Sequence, residues 1–175
     1  LRAFFAVQQC ASDSRGFMWF ATTSGLNRYD GYSFKVFQNI PGDTSSLLVN
    51  DVFRIFEGPG GKLWLYTNAG NNVYNPETET FYRNTAPLLR GMRVAEGLIT
   101  YIKKDRQGTF WFVHYNQGLF RYDGKSTVQL QHNPEDGLTI ASSAMSAVED
   151  DADGNLWIIH RNGVFEKLDA KTLKI

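Results

Sequence analysis

Four tryptophans, Trp19, Trp64, Trp111 and Trp157, stand 45, 47 and 46 residues apart, and the chain has no others. A period of that length marks a repeated supersecondary unit. Aligned on the tryptophans, the segments read DSRGFMWFATTSGLNRYDG, GPGGKLWLYTNAGNNVYNP, DRQGTFWFVHYNQGLFRYDG and DADGNLWIIHRNGVFEKLDA. Gly16, Gly61, Gly108 and Gly154 each precede their Trp by three residues, and Gly25, Gly70, Gly118 and Gly163 follow it by six or seven. Asp13, Asp105 and Asp151 open three of the units, with Gly58 in that place in the second. Several columns recur together, so the unit repeats and not merely the Trp.

Each column has a physical reading. The stretches FMWFAT, KLWLYT, TFWFVH and NLWIIH are apolar at nearly every position, as in a strand covered on both faces. Asp-x-x-Gly before them is turn chemistry: the carboxylate accepts backbone N–H groups and the Gly takes φ > 0 without steric cost. The second Gly closes another turn into GLNRYD, NNVYN, GLFRYD and GVFEKLD. Upstream lie short strands in AFFAV, NDVFRIF, LITYI and SAMSAV, and downstream weaker ones in YSFKVF, ETFYR, STVQLQ and LKI. Four antiparallel strands per unit match a propeller blade.

The sequence therefore predicts an all-β fold: a β-propeller segment of four blades of four-stranded antiparallel sheet, near residues 1–38, 48–83, 97–131 and 143–175. Residues 1–175 read as one array, with NIPGDTSSLLVN, NTAPLLRGMRVAEG and HNPEDGLTIASS as loops between blades rather than linkers. The chain starts on a first strand and stops near a fourth, so no strand from one terminus completes a blade begun at the other. That register is the one expected of an open arc of a larger propeller. Two-sided burial predicts equivalent, buried environments for all four tryptophans. An open arc predicts that Phe4, Phe17, Phe20, Ile158 and Val164 partly face solvent or a second copy, and so makes a homodimer possible.

Composition narrows the function classes. With 18 basic and 18 acidic side chains and no Lys/Arg run, the chain lacks the cationic clustering of a nucleic-acid protein. No apolar stretch approaches the roughly 20 residues of a membrane helix, so no membrane contact is expected of this region. Cys10 is the one cysteine, which excludes an internal disulfide and a multi-cysteine zinc site.

The column three residues after each Trp reads Thr22, Thr67, His114 and His160. It leads into turns on the side of the long connections, the end of a propeller where variable loops ride on a rigid scaffold. The candidate ligand-binding residues are Thr23, Asn68, His114, Tyr115, Asn116, His160 and Arg161. They combine hydrogen-bonding groups with one aromatic platform, the chemistry an oligosaccharide or related small ligand needs. His132 lies in a connection on the same side. No third protein ligand can be placed beside His114 and His160, so no metal and no cofactor is expected. The repeated Asp residues are read as turn formers, and no catalytic residue is assigned.

The stretch GFMWFATTSGLNRYDGYSF, with its weaker copies and the connections SSLLVNDVFRIFE and HNPEDGLTIASSAMSAVEDDADGNLW, resembles the two-component regulator propeller repeat. The resemblance covers essentially the whole chain. It implies the periplasmic sensor region of a hybrid two-component signalling protein, detecting a breakdown product of a complex carbohydrate. The remaining blades, a membrane helix and a histidine kinase would belong to the parent protein, and this chain itself would not be an enzyme. The Asp turns also resemble the Asp-box of sialidases, and the G-x-L-W repeat resembles that of the streptogramin lyases, which use histidine chemistry with a divalent metal. GLNRYDG and GLFRYDG match the regulator repeat better. A lyase-type enzyme and a purely structural interaction propeller are the alternatives.

Overall fold

The structure, a computed structural model, describes residues 6–175. They form four antiparallel sheets in which sequence neighbours pair. Sheet 1 holds β1 (Val7–Ser12), β2 (Met18–Thr22), β3 (Gly25–Tyr29) and β4 (Phe34–Phe37), and sheet 2 holds β5 (Val52–Glu57), β6 (Leu63–Thr67), β7 (Gly70–Asn75) and β8 (Thr80–Tyr82). After a one-turn helix α1 (Ala86–Gly91), sheet 3 holds β9 (Ile99–Lys104), β10 (Phe110–His114), β11 (Gly118–Tyr122) and β12 (Thr127–Leu130). Sheet 4 holds β13 (Met145–Asp150), β14 (Asn155–His160) and β15 (Phe165–Asp169). The sheets group into two compact units, Leu1–Thr85 and Ala86–Ile175.

Three details differ from the sequence reading. Much of AFFAV, with Phe4, lies outside the described residues, and the first strand runs over Val7–Ser12. LKI forms a lone bridge, Asp169 to Lys174, so sheet 4 has three strands. The APLLRG segment of the second connection is helical: Pro87 falls in its first turn, where a missing N–H costs nothing, and Leu89 is buried.

Alternation along the strands sets the packing. In the first unit, Trp19, Ala21 and Leu26 of sheet 1 pack against Val52, Ile55, Leu65, Tyr74 and Phe81 of sheet 2. Trp19 meets Tyr74 edge to face at 5.0 Å between ring centroids, a favoured aromatic geometry. Arg28, opposite Trp19 in the ladder, donates from Nη1 to Glu79 Oε1 at 2.8 Å on the β7–β8 turn of sheet 2. In the second unit, Trp111, Val113 and Leu119 of sheet 3 pack against Met145, Val148, Leu156, Ile158 and Leu168 of sheet 4.

Trp19, Trp64 and Trp111 are 0–1% exposed, but Trp157 is 42% exposed, against the expectation of four equivalent burials. The cause is geometric: within the second unit, the face of sheet 4 that carries Trp157 has no sheet laid over it, whereas sheet 4 itself covers Trp111. The same alternation corrects another expectation. Ile158 points from the opposite face into the core between sheets 3 and 4 and is fully buried. Val164 is 41% exposed as expected, Phe20 is half-buried, and Phe17 is half-buried against the first unit's core.

The repeated Asp is tied directly to the repeated Trp. Asp105 Oδ1 accepts the backbone N–H of Gln107 at 3.0 Å and of Thr109 at 2.8 Å, while Oδ2 accepts the Trp111 indole N–H at 2.8 Å. Asp13 binds Arg15 N, Phe17 N and Trp19 Nε1 in the same way, and Asp151 binds Asp153 N, Asn155 N and Trp157 Nε1. In sheet 2 the Trp64 indole takes the space itself: a Cβ on Gly58 would stand 2.3 Å from Cδ1 and 2.5 Å from Nε1. Gly in place of Asp fits the packing of that unit, and Gly58 N–H donates to Lys62 O at 2.8 Å to close the turn.

Removing Asp105 strands a buried indole N–H and two turn amides, so Asp105→Ala is expected to lower stability by about 1–3 kcal/mol in urea unfolding. Asp151→Ala, whose Trp157 reaches water, is expected to cost less. The Asn155 side-chain amide and backbone N–H, outweighing burial and aided by the Trp157 indole, hold the Asp151 carboxyl at about 2 against an ordinary 3.8. A depressed folded value means stability that is present above the ordinary value and lost as pH falls toward about 2. The melting temperature followed by near-ultraviolet circular dichroism is expected to drop over that window, and less so in Asp151→Asn.

Candidate functional site

At one end of every sheet the second strand turns into the third, and the first strand opposite carries a bulge. The register shifts between Val7 and Gln9, Val52 and Arg54, Met145 and Ala147, and on the β10 side between Val113 and His114. Each shift lies opposite the column Thr22, Thr67, His114 and His160. Bulges at such places re-aim side chains and end the ladder.

The column's side chains hold the turns. Thr22 Oγ1 accepts the Ser24 N–H at 3.1 Å and donates to Gly25 O at 2.8 Å; Thr67 Oγ1 accepts the Ala69 N–H at 3.2 Å and donates to Gly70 O at 2.7 Å. His114 performs the same task with a ring. Its Nδ1 accepts the N–H groups of Asn116 at 3.3 Å and Gln117 at 3.2 Å, which leaves Nε2–H to donate to Glu96 O at 3.1 Å. Gly97 makes room for it, since a Cβ there would stand 2.6 Å from His114 Nε2. His160 departs from the pattern: Nε2–H donates to Glu166 Oε1 at 2.6 Å, and Glu166 also accepts the Ala141 N–H at 3.1 and 3.0 Å. His114 and His160 are 3% and 2% exposed, so both imidazoles stand behind the surface.

The next position faces water. Thr23 and Asn68 are exposed on the β2–β3 and β6–β7 turns of the first unit. In the second unit Tyr115 is half-exposed, and Asn116 and Arg161 are exposed. Tyr115 N donates to Leu98 O at 2.9 Å and Arg161 N to Ala144 O at 3.1 Å, which pins both turns to their first strands. The Arg161 guanidinium then lies over the Tyr115 ring, 4.5 Å from its centroid, while Nε–H donates to Met145 O at 3.2 Å. The fold therefore brings Tyr115 and Arg161, from turns on neighbouring sheets, into one stacked pair. Its Nη groups make no hydrogen bond among the described residues, and their geometry suits a carboxylate, sulfate or vicinal hydroxyls.

His132 holds its own loop, donating from Nδ1 to Ile140 O at 2.8 Å. Asn39 does the equivalent in the first connection, donating from Nδ2 to Leu47 O at 2.8 Å. Sequence reading missed Glu166, whose partners lie in another loop and in β14, and the bulges, which leave no compositional mark.

No protein-family model matches the chain, and no curated protein sequence does either. Solved structures do. The extracellular domain of BT3049 of B. thetaiotaomicron, assigned to a hybrid two-component system, superposes with a TM-score of 0.65 at 24% identity over 93% of this chain. That of BT4673 from the same organism, likewise assigned, gives 0.66 at 21% identity over 97%. PorZ, a surface component of the type-IX secretion system of Porphyromonas gingivalis, gives 0.57 at 12% identity over 97%. The chain spans 23%, 24% and 26% of those three chains respectively. The likeness is one of fold.

Glu166 is the single acceptor for both the His160 ring and the Ala141 amide. Glu166→Ala is expected to lower stability by about 1–3 kcal/mol and to raise amide exchange at Ala141, read by hydrogen–deuterium exchange. A double-mutant cycle with His160→Ala is expected to show coupling above about 0.5 kcal/mol.

Proposed function

We propose that this chain is part of the extracytoplasmic sensor region of a hybrid two-component signalling protein, and that its turn-bearing face detects a carbohydrate. The likeness of fold to extracellular domains assigned to such systems supports the sensor role. The observation that carries the ligand assignment is the exposed Tyr115–Arg161 stack with Asn116 beside it. A sugar ring packs on the Tyr115 face, Asn116 reads hydroxyls, and Arg161 pairs with a carboxylate or sulfate where the sugar carries one. His114 and His160 position those turns from below, and Thr23 and Asn68 offer hydroxyl and amide contacts on the turns of their own unit. No residue is assigned to catalysis, and no metal or cofactor to the site. The remaining blades of the parent protein complete the region. Its compartment is the periplasm, and the parent's kinase receives the signal.

The test is calorimetry on the complete sensor region with a panel of neutral, uronic and sulfated oligosaccharides. Tyr115→Ala and Arg161→Ala are each expected to weaken binding at least about tenfold, equivalent to about 1.4 kcal/mol. The Arg161 loss should be larger for the anionic sugars. Affinity unchanged in both variants and in Asn116→Ala, with the fold intact, removes this face from consideration.

A further inference from the structure

The two units surround one arginine differently. Arg28 stands opposite Trp19 in the ladder of sheet 1 and Arg121 opposite Trp111 in sheet 3, with the guanidinium 5.7 and 5.9 Å from the respective ring centroid. In the first unit Arg28 Nη1 donates to Glu79 Oε1 at 2.8 Å and to the Tyr74 hydroxyl at 3.4 Å, and Lys35 also pairs with Glu79. One carboxylate in the turn after β7 is thus shared by two cations.

The second unit builds the same turn from other side chains. Asp169 opens it as Asn75 does, each Oδ1 accepting the amide two residues on, and Leu173 shares the left-handed backbone of Glu79, with φ of 58° and 55°. In that register Lys171 stands where Glu77 stands, Leu173 where Glu79 does and Leu168 where Tyr74 does. Arg121 therefore has neither of the oxygen acceptors that Arg28 has. Its Nε–H is buried with no acceptor among the described residues, and a buried donor without a partner carries the full cost of its desolvation. Nη1 has only Asp123 Oδ2, 3.9 Å away, on a carboxylate that already takes the Lys125 and Ser126 amides and the Ser126 hydroxyl.

Arg121, Lys171, Gln107 and Thr109 line a cavity of about 50 Å³ between the Asp105 turn of sheet 3 and the turn after β15. One water needs roughly 10–15 Å³, so a group of several atoms fits. The carboxylates around it are spent: Asp105 takes three N–H groups, and Asp169 Oδ1 takes the Lys171 and Thr172 amides. We propose that this cavity binds a small carboxylate, of formate or acetate size, which receives the Arg121 Nε–H and the Lys171 ammonium and takes the place that Glu79 fills in the first unit. It lies at the end of sheets 3 and 4 opposite the turns of Tyr115 and Arg161, and does not depend on the carbohydrate reading above.

The test is nuclear magnetic resonance of the arginine Nε–H groups in the 175-residue chain, titrated with sodium acetate. Sodium chloride holds the ionic strength constant, so that only a preference for carboxylate registers, and circular dichroism checks the fold. The Arg121 signal, assigned by its loss in Arg121→Lys, is expected to shift saturably. Lys171→Gln, at an exposed position, is expected to raise the acetate dissociation constant at least about tenfold. Leu173→Glu returns a carboxylate to the turn, so its Arg121 signal is expected near the acetate-bound position from the start and to respond no further; Leu173→Gln, without the charge, is expected to titrate as the wild type does. An Arg121 signal that stays still in the folded wild type, an unchanged response in Lys171→Gln, or a Leu173→Glu chain that still titrates as the wild type does overturns the proposal and leaves the cavity to water.

Discussion

One hydrogen bond organises the repeat: the carboxylate of Asp13, Asp105 or Asp151 receiving the indole N–H of the Trp six residues on. The other oxygen of the same carboxylate takes two amides of the intervening turn, so turn and strand are fixed by one group. The net worth of each such bond is only about 1 kcal/mol, less than the burial of a large side chain. Its importance lies in what it permits. A tryptophan cannot sit fully buried with an orphan N–H, and the Asp supplies the acceptor inside the same turn.

With the tryptophan satisfied, packing propagates from sheet to sheet. The Trp face of sheet 1 is closed by the first and second strands of sheet 2, and that of sheet 3 by those of sheet 4. Each sheet is therefore incomplete without a neighbour on both faces, the defining property of a stacked repeat. The exposure of Trp157 and of the Phe34 face follows from the same rule that buries Trp19 and Trp111.

Much of this was legible before any coordinates. The Trp, Gly and Asp columns located the second and third strands of each sheet and the turns that join them, because each rests on local chemistry repeated several times, whereas the fourth strand expected in LKI is only a bridge. Burial of individual residues was less legible. FMWFAT and NLWIIH are equally apolar, yet Trp19 is enclosed and Trp157 is not, since covering depends on what lies next to a sheet and not on its own sequence. Ile158 was placed on the wrong face for a related reason: where every position is apolar, alternation leaves no trace.

The candidate site was legible in position more than in role. In three of the four repeats the residue three places after the Trp, Thr22, Thr67 or His114, accepts a hydrogen bond from the turn amide two places on. A histidine there looks like chemistry offered to a ligand, but the bulged first strand and the turn enclose it. His160 does not cap its turn; its ring is held by Glu166, with the Ala141 amide on the same carboxylate. The side chain of the following residue faces water instead. There the sequence varies freely as Thr23, Asn68, Tyr115 and Arg161. A buried column beneath a variable exposed one lets a repeat scaffold change its surface without changing its fold.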